Sequence, residues 1–479
     1  MIREESAYEV IGDKSNFPEW YDQVLSAAGI IDMRYDMKGM VVWLPYGLSI
    51  MKFLIKRWDE LFQKNGIEET YFPLFVPIKY CEKNESWWNG FKDEGYKVIA
   101  GEGNEIQGAI RPTGEPAMYP MFSMWTRSRN DLPIRIYETV SSYRYETKQT
   151  KPLIRAREIT HWFEIHTAHA TKEEAANELE LHVKFYDEIY EKMLALPAFR
   201  VNKPIWECFP GAVGAYEYYS YMPDGRVMEN GSANNLGQAY AKKFDVKYAD
   251  ENGKEQYCWM ICTGNGARFI AAAFSEHGDK KGLILPPYIA PIQVVIVPII
   301  FKGNEAEVYK YAEKVKTKLE SQGIRVHLDT RSNMTPGKKY FFWEVKGVPV
   351  RLEIGPKDVE KDQVVVSTRF DAKKEFVKLD KLDITGTLSN IHNAMYAKSK
   401  KRLEEGIIFA NTNKEVVKLL DEKKIAKVYW CGNRDCYDKI SKIGEGFEAF
   451  GTSVEKKGSG KCLSCNKEAH ETLYIAKSY

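Results

Sequence analysis

Apolar residues recur at helical spacing over residues 17–28 and again over 47–65, where Leu48, Met51, Phe53, Leu54, Ile55, Trp58, Leu61 and Phe62 supply the apolar positions and Asn65 with Gly66 gives a stop. A strand pattern follows at 68–77, and Pro73 inside it predicts an edge. Tyr143, Tyr145 and Thr147 then alternate with Arg144 and Glu146, residues 150–152 break the run, and apolar residues resume from Ile154 to His166. That pattern predicts strand, loop, strand, an antiparallel pair with cations on one face. Thr171 and Glu174 stand at capping-box spacing before an amphipathic helix over 171–194. Residues 215–257 alternate strands with turns, and the small residues of 262–277 predict a closely packed helix.

Pro286, Pro287 and Pro291 mark a linker, after which the pattern changes. Strands at 293–300, 324–328, 349–354 and 363–369 alternate with helices at 306–322 and 336–346, which predicts an α/β layer with a mostly parallel sheet. A lysine-rich helix at 388–405 leads to a small terminal unit.

At 479 residues the chain is long enough for two or three cores. Its formal net charge is only +2, so a nucleic-acid partner would need a local basic patch. No apolar run reaches the roughly 20 residues of a membrane-spanning helix, and residues 1–17 lack the apolar centre of a secretion signal, so a cytoplasmic location is expected. In that reducing setting, clustered cysteines indicate metal before disulfide. Cys431 and Cys436, then Cys462 and Cys465, offer two thiolate pairs to one tetrahedral ion, and a structural zinc site is expected.

The densest chemistry lies between Tyr143 and Ala170. Two arginines held on a rigid scaffold can clamp a phosphate in two-point fashion, and carboxylates between them can fix the arginines or hold an ammonium. The order Arg144, Glu146, loop, Arg155, Arg157, Glu158 resembles motif 2 of class II aminoacyl-tRNA synthetases. The continuation through Trp162, Glu164 and His166 resembles the prolyl-tRNA synthetases of archaeal and eukaryotic type. Residues 47–77, with Pro73, resemble motif 1, which implies a homodimer; residues 262–277, with Arg268, resemble motif 3.

The resemblance implies a class II α+β catalytic domain, an antiparallel sheet with helices, over residues 1–287. It further implies an α/β anticodon-binding domain over 288–385 and a zinc-binding α+β domain over 386–479. The implied activity is ATP-dependent attachment of proline to tRNA(Pro) through an adenylate, with magnesium bridging the phosphates. Arg144, Arg155 and Arg268 would be catalytic, with Glu146, Glu229, Ser232 and Gln238 completing the ATP site. Thr113, Glu115, Arg144, Trp162, Glu164, His166, Ser232 and Asn234 would hold the amino acid.

Three positions depart from the family pattern at the segment of residues 229–238: Glu229 replaces glutamine, Ser232 threonine and Asn234 histidine. Gly114 also replaces a serine. An altered pocket leaves a paralogue charging the same tRNA with another small amino acid, such as alanine, or a non-catalytic tRNA-binding protein, as alternatives. In the second domain the segment of residues 342–360 resembles the anticodon reader. Glu344, Arg351, Lys357 and Asp358 are its candidates for guanine edges, because carboxylates accept from guanine amino groups and cations donate to O6 and N7. Only 111 positions separate Arg157 from Arg268, 268 minus 157, which leaves no room for a large editing insertion.

Overall fold

The computed structural model describes residues 11–84, 88–89, 91, 93–147, 149–301, 303–455 and 459–479. Most of the stretch whose composition argues against a secretion signal therefore lies outside the described residues. Five antiparallel strands form the middle of the molecule: β1 (Ile134–Tyr143), β2 (Glu158–His169), β3 (Gly214–Tyr221), β4 (Arg226–Gly237) and β5 (Trp259–Asn265). Their spatial order is β3, β4, β5, β2, β1. Three helices bear on them: α1 (Pro45–Lys64), α2 (Lys172–Glu188) and α3 (Arg268–His277).

Alternation along β2 assigns the two faces of the sheet. Phe163 turns toward the helices, where Trp58 and Phe62 of α1 meet its ring at centroid distances of 5.1 Å each. Burying each of these rings contributes about 2–3 kcal/mol. Tyr186 of α2 stacks on Tyr218 at 4.2 Å and donates its hydroxyl hydrogen to the Gly264 carbonyl at 2.8 Å. Trp162, Glu164 and His166 are left on the opposite face.

Local signals in the chain are realised closely. Helix α1 ends at Lys64 with Asn65 as its cap, and Gly66 takes φ +75°. Thr171 and Glu174 cap α2 reciprocally. Two strand expectations in this first unit are corrected. The single strand at 68–77 is two short ones, Glu68–Glu69 and Phe75–Pro77, in different sheets, because the Phe72 N–H is turned inward onto Glu138 just before Pro73. Arg144 and Glu146 also lie beyond the end of β1: the Arg144 N–H still pairs with the Arg157 carbonyl, but the Glu146 N–H turns back to the Arg144 carbonyl and leaves the ladder.

The second unit has a five-stranded sheet ordered Val326–Leu328, Val294–Pro298, Val350–Ile354, Gln363–Thr368, Lys374–Lys378. Its first three strands are parallel and its last two pairings antiparallel, so the sheet is mixed rather than mostly parallel. The connection from Ile354 to Gln363 is too short for a crossover, which forces the antiparallel return. Arg369 of this unit grips Asp279 at the end of α3 with a two-point ion pair of 2.9 and 2.5 Å.

Gly460–Lys461 and Glu468–Ala469 pair as a small hairpin of their own, but the longer terminal strands do not form a separate sheet. Glu448–Ser453 pairs with Phe199–Asn202, which pairs with β3, so the last strands extend the central sheet to eleven strands among the described residues. No helix among them is long and apolar enough to cross a membrane.

Candidate active site

Strand register builds the site in rows. Glu138 on β1 lies opposite Glu164 on β2, Glu164 opposite Gly264 on β5, and Gly264 opposite Ser232 on β4. One step along the same face, His166, Cys262 and Asn234 form the next row. Trp162 covers Gly264: a Cβ there would sit 2.6 Å from its ring, so only glycine admits the indole. The Trp162 Nε1 is buried without a hydrogen-bond partner.

The turn at Thr113 closes over these rows. Its hydroxyl donates to Glu115 Oε2 at 2.7 Å, and the Gly114 N–H donates to Glu164 Oε2 at 2.7 Å. A Cβ at Gly114 would meet that same oxygen at 2.7 Å, which accounts for glycine at this departure from the family pattern. His166 Nε2 lies 3.2 Å from Glu164 Oε2, and its Nδ1 lies 2.9 Å from the Tyr119 hydroxyl. Asn234 donates through Nδ2 to the Ser232 hydroxyl at 2.8 Å and reaches Cys262 Sγ at 3.6 Å.

Electrostatics follow from this wiring. Burial alone would discharge Glu164, but the hydrogen bond from His166 and the Arg111 cation hold its carboxyl below the ordinary range. Burial likewise opposes the His166 charge, and Glu164 with Glu115 outweighs it, so the imidazole is raised. Glu115 is pushed up by burial, with the neighbouring Glu164 charge adding to it. The pocket is thus a buried array with carboxylates in excess of cations.

Beside it, Arg144, Arg155 and Arg268 line one cleft of about 210 Å³, together with Glu146, Glu158, Thr160 and Ala267. Arg144 donates through Nε to the Pro112 carbonyl at 3.1 Å, and its guanidinium lies over Phe91. Arg155 is 3.3 Å from the Glu146 carboxylate and donates to the Tyr479 backbone oxygen at 3.1 Å. Arg268 opens α3 and donates through Nε to the Ile154 carbonyl at 2.8 Å. Burial and the nearby Arg268 both disfavour the Arg144 charge, a tension that an anionic ligand relieves.

Gln238 does not join this cleft. It sits past the far end of β4 and donates to the Tyr257 carbonyl at 2.7 Å. In the second unit Glu344 and Arg351, 3.4 Å apart, line a cleft of about 400 Å³ with Lys281, Arg369 and Lys374. Lys357 and Asp358 lie outside it. Asp358 caps its own short helix by accepting from the Gly355 N–H at 2.9 Å, and its other oxygen holds Gln363 at 3.1 Å. At the end of the chain the Sγ atoms of Cys431, Cys436, Cys462 and Cys465 all lie within 4.8 Å of one another.

Family models match three successive stretches: the class II tRNA synthetase core domain (G, H, P, S and T) at 96–277, an anticodon-binding domain at 293–384, and the prolyl-tRNA synthetase C-terminal domain at 413–479. The proline--tRNA ligases of Methanobrevibacter smithii and Methanococcoides burtonii are each 40% identical to this chain, over 97% and 100% of it and 99% and 100% of their own lengths. The chain belongs to the prolyl-tRNA synthetase family. Among solved structures, the Giardia lamblia prolyl-tRNA synthetase in complex with prolyl-adenylate superposes with TM-score 0.94 at 32% identity, covering 98% of this chain and 99% of that one. The Cryptosporidium parvum prolyl-tRNA synthetase complexed with L-proline and AMP gives TM-score 0.92 at 34% identity, again over 98% and 99%.

For this prolyl-tRNA synthetase family member, contacts and strand register also mark what motif reading passed over. Arg111, Glu138, Tyr119 and Cys262 all touch or neighbour the proposed amino-acid contacts. Arg111 directly precedes the turn at Pro112 and was open to notice as a charge inside an apolar run. Glu138 and Cys262 carry no local signal, since only strand register brings them alongside Glu164 and His166.

Proposed function

We propose that this protein activates proline with ATP and transfers it to tRNA(Pro). The observation that carries the reading is the junction of two unlike sites: a carboxylate-rich buried pocket opening beside a cleft lined by three arginines. In the first step a carboxylate oxygen of proline attacks the α-phosphorus of ATP and pyrophosphate leaves. In the second, the terminal ribose hydroxyl of the tRNA attacks the adenylate carbonyl and AMP leaves.

Thr113, Glu115 and Glu164 receive the secondary ammonium of proline, with His166 fixing Glu164 and Trp162 closing over the ring. Ser232 and Asn234 form the opposite wall. Arg144 reaches the reacting carboxylate and α-phosphate; Arg155 with Glu146 holds the adenosine and outer phosphates, and Arg268 the triphosphate tail beside Glu229. Pre-placed guanidinium groups at a developing charge, in a partly water-excluded cleft, supply positioning and electrostatic stabilisation without a general base. Magnesium accompanies ATP as part of that substrate.

Residues 1–287, 288–385 and 386–479 serve as the catalytic, anticodon-binding and C-terminal units. Glu344 and Arg351 are assigned to anticodon bases. The cysteine cluster suits a structural zinc ion: a tetrahedral site with zinc–sulfur bonds of about 2.3 Å needs sulfurs about 3.8 Å apart, and Cys431 and Cys465 stand at 3.7 Å. Exposed Tyr71, Leu74 and Phe75, in the segment resembling motif 1, suit a homodimer contact. A cytoplasmic location fits a reaction that supplies translation.

Pyrophosphate exchange run separately with each of the twenty amino acids, followed by charging of tRNA(Pro), tests the reading. Exchange with proline, and charging of that tRNA, is expected. Exchange dependent on alanine or another residue, or none, overturns it.

A further inference from the structure

Directly beneath the amino-acid pocket lies an ion pair that the two-step reaction does not use. Arg111 is 1% exposed and Glu138 fully buried, with Arg111 Nη1 2.5 Å from Glu138 Oε1. The other Glu138 oxygen accepts the Phe72 N–H at 2.9 Å. Arg111 is gripped through its backbone as well: its N–H donates to the Leu74 carbonyl at 3.1 Å, and its carbonyl accepts from the Tyr143 N–H at 3.0 Å. Its Nε remains buried without a partner.

A buried ion pair is weak evidence for stability, because apolar residues of similar volume often serve as well. The placement of this one argues for another role. Glu138 is the cross-strand neighbour of Glu164, so two carboxylates share one buried row, and the Arg111 guanidinium, paired with Glu138, is close enough for its charge to act on Glu164. We infer that Arg111 and Glu138 form a positioning pair for proline recognition: Arg111 keeps Glu164 ionised toward the substrate ammonium, and Glu138 holds Arg111 in place. This rests on the assignment of Glu164 to the amino-acid site.

Other groups set the background charge. Glu115 and Arg144 face Glu164 from the turn and from the end of β1, and His166 neighbours it on its own strand. Tyr119 and Cys262 close the remaining sides as neutral groups, both thiol and phenol being pushed up by burial. Burial raises Glu138 to about 7 even with Arg111 beside it, with the Glu164 charge adding to the rise. Without Arg111 the two carboxylates compete, and one of them takes a proton at higher pH.

Proline-dependent pyrophosphate exchange by the full-length chain, followed from neutral to mildly acidic pH, tests this. Arg111→Met is expected to raise KM for proline roughly ten- to hundredfold, the scale of losing a charge-assisted hydrogen bond, with KM for ATP unchanged and the defect growing as pH falls. Adding Glu138→Gln removes the competing carboxylate and recovers much of the proline KM. Arg111→Lys, which keeps the charge and loses the fork, stays near wild type and serves if the Met variant does not fold. Unchanged proline KM in a folded Arg111→Met, a pH-independent loss shared equally by proline and ATP, or a folded Arg111→Lys as impaired as Met, overturns the role. Failure of the wild-type chain to use proline at all strikes instead at the proposed function.

Discussion

Arg268 donates through Nη1 to the carbonyl of Glu229 at 2.8 Å, and the Glu229 carboxylate stands 3.6 Å from the same nitrogen. The carboxylate therefore competes with any anion that Arg268 binds. Glu229→Gln, which restores the residue type usual in the family, keeps the backbone contact and removes the competing charge. KM for ATP is expected to fall a few-fold, on the scale of the ~0.2–1 kcal/mol that an exposed pair carries, with KM for proline unchanged. Exchange assays at varied ATP check this, and a higher ATP KM would count against the cleft assignment.

Glu178 connects α2 to the sheet through Arg135 at 2.9 Å, and within α2 it lies 3.1 Å from His182 Nε2. Burial opposes its charge, but these two partners outweigh it and lower its carboxyl from 4.5 to about 2. Because the folded value is depressed, the contribution is fully present above the unfolded value near 4.5. It is lost as pH falls through about 2. Integrated over that window it amounts to about 3 kcal/mol at most. Glu178→Gln should therefore lower stability at neutral pH and flatten the acid limb of a denaturation curve between those two values. An unchanged acid limb would show that the pair contributes little.

The cysteine cluster is tied to the rest of the molecule by continuous strand pairing rather than by a linker. Cys436→Ser should abolish bound zinc, read by elemental analysis, because closure by four thiolates is lost. Structural zinc contributes on the order of 10 kcal/mol to folding of small metal units, so loss of ordered structure beyond residue 413, rather than a modest shift, is expected. Since Glu448–Ser453 pairs with Phe199–Asn202, the thermal midpoint of the catalytic sheet should fall as well. Zinc-free protein of undiminished Tm would sink the structural role.

What could be read from the chain was local. Asn65 with Gly66, and Thr171 with Glu174, ended and began helices where their own backbone chemistry dictates. The cysteine spacing likewise announced a cluster that the fold delivers. Contributions from distant parts of the chain were not legible. Pro73 suggested an edge, but the split of its strand depends on Glu138, more than sixty positions away. Arg144 and Glu146 read as strand residues because their alternation is real, yet Glu146 turns back onto Arg144 at the cleft mouth. Gln238 followed a familiar motif onto a site from which strand length removes it. The merger of the terminal strands with the central sheet, and the row joining Glu138 to Glu164, are matters of register, which no single stretch encodes.

The division of labour between units gives the sharpest mutational contrast. Arg144 lies at the arginine cleft and anchors the turn before Thr113 through the Pro112 carbonyl, whereas Glu344 lies in the second unit's cleft, paired with Arg351. Arg144→Ala removes charge stabilisation at the reacting phosphate, so proline-dependent exchange should fall roughly a hundred- to thousandfold, while tRNA affinity stays nearly intact. Glu344→Ala should leave exchange unchanged and weaken tRNA binding by about 1–3 kcal/mol, the range of one specific base contact. Filter binding of tRNA(Pro) and exchange assays on the two variants separate these outcomes. If both variants lost the same step, adenylate formation and anticodon reading would not reside in separate clefts, and the assignment of Glu344 would fall first, because Arg351 and Lys281 already occupy its carboxylate as internal partners.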